Sequence, residues 1–229
     1  MRIPILFNIV LLAAATALAQ TQPYPFENEI RAFEASDKTN PPPKNAILFI
    51  GSSSIRMWKT LELEFPEYHV INRGFGGSQI SNSIHFAERI VIPYQPRVIV
   101  FYAGGNDINA GKSAETVFND FEMFVTKVRE KLPRTKIAYI SIAPNPARWL
   151  QLDRIREANR LIHDYTAKHA GLSFIDVFLP MLGSDGQPKA GIYLDDKLHM
   201  NARGYAIWKR VVSEHLKSMV QPGGPETRP

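Results

Sequence analysis

Ser53 follows an apolar run, Ala46-Ile47-Leu48-Phe49-Ile50, and a glycine, Gly51. A buried strand that turns into a helix there leaves the serine at a helix amino terminus. Backbone N–H groups without helical partners and the positive end of the dipole lie beside it. That position suits a nucleophile whose attack creates an oxyanion. Serine is also an ordinary helix N-cap, and Ser54 is a second candidate for the nucleophile. A phosphate-binding loop would need a Lys-Ser or Lys-Thr ending, which the segment Gly51-Ser52-Ser53-Ser54 lacks.

Asp196-Lys197-Leu198-His199 supplies a base. A histidine takes protons near neutral pH, and an aspartate three residues earlier can bond its far ring nitrogen and select the tautomer. Asp195 is the alternative partner. His69, His85, His163, His169 and His215 have no such setting and are expected to be surface or structural residues. Two further segments could stabilise negative charge. Gly74-Phe75-Gly76-Gly77-Ser78 permits backbone conformations that aim an N–H into a cleft, and Asn106 in Gly104-Gly105-Asn106-Asp107 offers two uncharged amide protons. Each segment could equally be a turn.

These segments need elements to bring them together. Continuous apolar runs at 46–50, 69–71, 97–102, 136–142 and 172–177 predict five strands, several buried on both faces. Apolar residues at helical spacing predict helices over 114–132, 150–169 and 202–219, and a short one over 26–35 that Pro41-Pro42-Pro43 would end. Ile55, Trp58 and Leu61 are expected on a helix directly after Ser53. Strands alternating with helices imply a parallel sheet with helices on both faces. Sites in such sheets form at the carboxyl ends of the strands, where these loops would stand side by side. Arg148 and Trp149, after the fourth strand, are candidate pocket-lining residues.

The order Ser53, Gly77, Asn106, Asp196-x-x-His199 resembles the GDSL esterases, also called SGNH hydrolases, over nearly the whole of residues 46–220. The similarity is greatest to the branch related to platelet-activating-factor acetylhydrolase. The resemblance implies a flavodoxin-like three-layer α/β sandwich and ester hydrolysis without a cofactor or metal. It implies Ser53 as nucleophile, His199 as base and Asp196 as its orienting acid. The backbone N–H groups of Ser53 and Gly77, with the Asn106 amide, would form the oxyanion hole. Three positions depart from the family pattern. Ser52 stands where the name-giving Asp is usual, Ser78 replaces an Asp often seen after the glycine, and Met200 replaces the Pro after the histidine. No Gly-x-Ser-x-Gly elbow is present, which argues against the α/β-hydrolase family.

Composition bounds the rest. The chain has 229 residues, 45% of them hydrophobic, which suits one domain with a sizeable core. It has no cysteine, which excludes thiol catalysis, disulfides and thiolate metal sites. The formal net charge of +5 comes from scattered residues, loosely grouped only at Lys127, Arg129, Lys131, Arg134 and Lys136. That group lacks the density and the interleaved aromatics of a nucleic-acid surface. Arg2, the apolar stretch to Leu18 and the ending Ala17-Leu18-Ala19 describe a secretory signal peptide over 1–19. The mature chain would then begin at Gln20, with an arm over 20–45, the hydrolase domain over 46–220 and a disordered tail over 221–229. It would be periplasmic or extracellular, without stable membrane insertion. By analogy with the family, the partner is a small ester or an acylated carbohydrate. Acyl transfer to a sugar hydroxyl would use the same residues. A non-catalytic carbohydrate- or envelope-binding module on the same fold is the reading from another class. The sequence specifies no oligomeric state.

Overall fold

The computed structural model describes residues 23–220. The expected signal peptide and carboxyl-terminal tail lie outside the described residues.

Five parallel strands form one sheet: β1 Ile47–Gly51, β2 Val70–Gly74, β3 Val98–Tyr102, β4 Lys136–Ile140 and β5 Leu172–Ile175. Their spatial order is β2-β1-β3-β4-β5, the flavodoxin-like arrangement. Every residue of β1 and β3 is buried, which is why these strands read as unbroken apolar runs. Successive side chains point to opposite faces, so the sheet feeds two cores. Leu48, Ile50, Ile99, Phe101 and Tyr139 face one layer, built by α1 Glu27–Thr39, α4 Ile80–Ile90, α6 Ala114–Lys131 and α7 Leu152–Lys168. Ile47, Phe49, Val98, Val100 and Ile140 face the other, where Trp58 and Trp208 are fully buried. This second layer is built by α2 Ser53–Arg56, α3 Leu61–Glu64 and α8 Ala202–Val220. Among the described residues no helix is long and apolar enough to cross a membrane.

The clearest differences from expectation are two. The helix after Ser53 is two short helices, α2 and α3, separated at Met57–Thr60. The Asn72 side chain donates to the carbonyl of Ile55 at 2.8 Å, taking a group that a longer helix would satisfy itself. Trp58 and Leu61 are buried all the same. The second difference is α4, which was not among the expected helices. Its first turn contains Ser81, Asn82 and Ser83, weak helix formers in isolation. Here the Gln79 N–H is capped by Asn82 Oδ1 at 2.8 Å, and the Ile80 N–H donates to the buried Asp107 carboxylate at 3.3 Å. The start of the helix is thus held both by its own Asn82 and by Asp107 from outside its sequence. The short α5, Gly105–Asn109, follows β3.

At the end of β1 the chain turns hard into the serine segment. Gly51 has φ 136°, and a Cβ there would lie 1.8 Å from the Tyr102 carbonyl oxygen of β3. Gly51→Ala should therefore strain the backbone and force β1 and β3 apart. A loss of about 3 kcal/mol is expected, or about 6–12 °C in Tm for a chain of this size. Calorimetry on the variant measures it directly, and an unchanged Tm would contradict the close approach.

Candidate active site

The loops after β1, β2, β3 and β4 and the turn before α8 meet at the carboxyl edge of the sheet. Ser53 is the first residue of α2, and its Oγ lies 2.9 Å from His199 Nε2. On the other side of the ring, His199 Nδ1 lies 2.6 Å from Asp196 Oδ2. Asp195 is exposed and forms no hydrogen bond to the ring among the described residues. Ser54 faces another task. Its carbonyl accepts the Tyr205 hydroxyl at 2.9 Å, tying the serine turn to α8.

Asp196 and His199 sit on one tight turn. Asp196 Oδ1 accepts the N–H of Leu198 and of His199, each at 2.9 Å, while Oδ2 takes the ring. Lys197 adopts a left-handed φ of 55° to close this turn. The hydrogen bond from His199, then the two backbone N–H groups, lower the Asp196 pKa to about 2. Its carboxylate therefore stays charged through the whole range in which imidazoles ordinarily titrate.

The Gly77 and Asn106 segments lie opposite. Asn106, in α5, donates through Nδ2 to the Ser78 carbonyl at 3.1 Å, and Arg148 Nη2 donates to its Oδ1 at 2.8 Å. Asn106 Nδ2 lies 3.7 Å from the point where a Gly77 side chain would begin, so the two loops stand in ordinary contact. None of the hydrogen bonds among the described residues engages the N–H of Ser53 or of Gly77. The neighbouring Asp107 is wholly buried and bonded to Lys112 Nζ at 2.8 Å, which in turn reaches Asp120 at 2.7 Å. Burial pushes the Asp107 pKa up, and Lys112 works against it. Through the Ile80 N–H this carboxylate also holds the start of α4, so it braces the Gly77 and Asn106 segments against each other.

Ser53, Asn106, Ile142, Asn145, Arg148 and His199 line a small pocket with a cavity of about 30 Å³. Arg148 lines it, whereas Trp149 is half-buried outside it. The unusual serines also have places. The Ser52 N–H bonds the Tyr102 carbonyl at 2.9 Å, and buried Ser78 Oγ donates to the Gly51 carbonyl at 3.3 Å. The contact between Arg148 and Asn106 had no signal in the sequence, since it joins two loops 42 residues apart.

A serine hydrogen-bonded to an imidazole, itself bonded to a carboxylate, can attack an acyl carbon. A model of the GDSL-like lipase/acylhydrolase family matches residues 52–207, a span that holds all of these groups. The chain belongs to that family. It is a hydrolase acting on esters. The chain is 27% identical over 203 residues to the human platelet-activating factor acetylhydrolase IB subunit alpha1, covering 84% of this chain and 83% of the relative. A GDSL-like lipase from Bacteroides thetaiotaomicron VPI-5482 shares the fold with a TM-score of 0.71 at 18% identity, over 83% of this chain and 98% of that one. A carbohydrate esterase family 3 protein from Talaromyces cellulolyticus does so with a TM-score of 0.62 at 16% identity, over 78% and 99%.

Proposed function

We propose that this GDSL-family hydrolase is an exported serine esterase that removes short acyl groups, acetyl above all, from small or carbohydrate esters. The observation that carries the mechanism is the 2.9 Å contact of Ser53 Oγ with His199 Nε2, backed by Asp196 at 2.6 Å. Neutral His199 takes the Ser53 proton as Oγ bonds to the ester carbonyl carbon. The carbonyl oxygen becomes an oxyanion held by the N–H groups of Ser53 and Gly77 and by the Asn106 amide. As the intermediate collapses, His199 gives its proton to the leaving alcohol, and the acyl group stays on Ser53. Water then repeats the sequence, losing a proton to His199 and releasing the carboxylic acid. Asp196 remains ionised throughout and keeps the ring in the tautomer with its proton on Nδ1. A fluorophosphonate probe should place its adduct on the peptide containing Ser53. An adduct on Ser54, or none, would sink this assignment.

The acyl preference rests on the small cavity beside Ser53 and His199, about 30 Å³. Each methylene that finds an apolar site gains about 0.8 kcal/mol, and one that finds none gains little. Specificity constants for a series of p-nitrophenyl esters should therefore level off or fall beyond a few acyl carbons. A steady rise toward long chains, measured below their micelle thresholds, would assign the protein to lipid esters instead. The similarity to an acetylhydrolase subunit and to a carbohydrate esterase supports an acetylated substrate, with a sugar as its carrier. Export rests on the segment Met1–Ala19. Terminal sequencing of protein from the periplasm or medium should begin at Gln20, and an intact Met1 there would contradict cleavage.

A further inference from the structure

Arg148 brings a cation into a pocket that the proposed cycle uses only through neutral donors. It sits in a 3-10 turn, Pro146–Gln151, where its own backbone leaves helical geometry at φ −120° and ψ 23°. The turn is tied down at both sides. The Arg148 N–H donates to the buried Asn145 side chain at 2.9 Å, and the Ala147 N–H donates to the Lys197 carbonyl at 3.2 Å. The Arg148 turn is thus docked on the turn that carries Asp196 and His199. Its guanidinium then crosses to the Asn106 loop, where Nη2 donates to Oδ1 at 2.8 Å and Nη1 lies 3.3 Å from where a Gly105 side chain would begin. Among the described residues no carboxylate pairs with it, although burial lowers its pKa. An arginine so placed remains charged at neutral pH. Removing a charge from water without a counter-ion is unfavourable, so its retention here calls for a use.

We propose that Arg148 is a positioning residue for the oxyanion hole: it holds the amide oxygen of Asn106, so that the amide nitrogen faces the acyl carbonyl. An unsubstituted carboxamide presents its oxygen and its nitrogen with nearly the same shape, and only its hydrogen bonds decide which end faces the cleft. At Asn106 the Ser78 carbonyl fixes the nitrogen and the Arg148 guanidinium fixes the oxygen. A charged donor on the amide oxygen also polarises the amide and strengthens its N–H as a donor. Both effects grow as the oxyanion forms, so they act on turnover more than on ground-state binding. Arg148 itself touches no reacting atom in this account. The inference rests on the proposed oxyanion role of Asn106 and goes beyond it by naming what orients that amide.

The test uses the purified full-length protein, p-nitrophenyl acetate as a neutral ester, and the variants Arg148→Met, Arg148→Lys, Asn106→Ala and the Asn106→Ala, Arg148→Met pair. Arg148→Met should lower kcat about 10- to 100-fold with KM changed less than about threefold. Arg148→Lys should restore part of kcat, since an ammonium can still donate to the amide oxygen. The double variant should be no slower than Asn106→Ala alone, because the arginine has lost the group it acts through. Thermal melts establish that each variant is folded, and Arg148→Lys carries the comparison if Arg148→Met does not fold. Additive losses would overturn the proposal, as would an unchanged kcat in Arg148→Met. A rise in KM confined to esters with a carboxylate in the acyl part would overturn it too, and would make Arg148 an anion-binding group. Ser53→Ala separates the two levels. If that variant keeps wild-type turnover, the serine mechanism fails and this inference with it. If turnover depends on Ser53 but not on Arg148, only the positioning role fails.

Discussion

Ser53→Ala should lower kcat/KM about 10⁴- to 10⁶-fold while leaving the melting temperature nearly unchanged. The size follows from what the alanine removes. Without Oγ there is no acyl-enzyme, and the only route left is direct attack by water in a site that still polarises the carbonyl. Loss of one member of such a unit costs about as much as loss of the whole, and some residual catalysis by the donors remains. A factor of 10⁵ corresponds to about 7 kcal/mol of transition-state stabilisation. Stability should change little because Ser53 is half-buried and the protein partner of its hydroxyl is His199, which water can serve instead. Ser54→Ala is the matched control. Its link to α8 runs through the backbone carbonyl, which alanine retains, so near-normal activity is expected. Turnover within about tenfold of the wild type in Ser53→Ala would remove serine catalysis altogether.

Asp196→Asn should lower kcat about 10²- to 10⁴-fold, whereas Asp195→Asn should stay within about twofold of the wild type. The asparagine keeps the size of the side chain, and its oxygen can still accept the N–H groups of Leu198 and His199. The atom facing His199 Nδ1 then becomes an NH₂ donor, so the ring answers with its lone pair there and carries its proton on Nε2. That proton points at Ser53, and the base can no longer accept. The pH dependence of stability separates this effect from unfolding. The folded Asp196 pKa is lowered to about 2, below the ordinary aspartate value of about 3.9. A depressed carboxylate stabilises the fold above its unfolded pKa and loses that contribution as pH falls through its folded one. The wild type should therefore melt higher than Asp196→Asn near neutral pH, with the gap closing between about pH 4 and pH 2. A gap that persists unchanged at pH 2 would mean that the carboxylate charge is not the cause.

The parts of this fold that are legible in the sequence are those whose surroundings are uniform. β1 and β3 are buried on both faces, so their residues are all apolar and their limits stand out. The long helices α6, α7 and α8 each lay one face on a core, and their spacing shows it. α4 is hidden because its first turn is rich in weak helix formers and is held in part by Asp107, 27 residues further on. The break between α2 and α3 is hidden for the same reason, since it answers to Asn72 on the neighbouring strand. At the site, Ser53 and His199 stand out by type and order. The choice between Asp195 and Asp196 does not, because it turns on a left-handed Lys197 that sequence does not announce. The Arg148–Asn106 contact is further still from view, being a meeting of two loops on adjacent strands.

The turn from Asp196 to His199 divides the chain into parts that can drift and one that cannot. Three hydrogen bonds close within those four residues, two to backbone N–H groups and one to the ring. A single inserted residue would break all of them together. The other groups of the site, Ser53, Gly77 and Asn106, follow separate strand ends, and a longer connection between strands adds little entropy cost, about 0.6 kcal/mol for each doubling. Helices and outer loops can therefore be lengthened, shortened or rewritten at small cost, whereas the spacing from Asp196 to His199 cannot. In this chain the spacing of those four residues is therefore one indivisible unit, however far the outer loops drift.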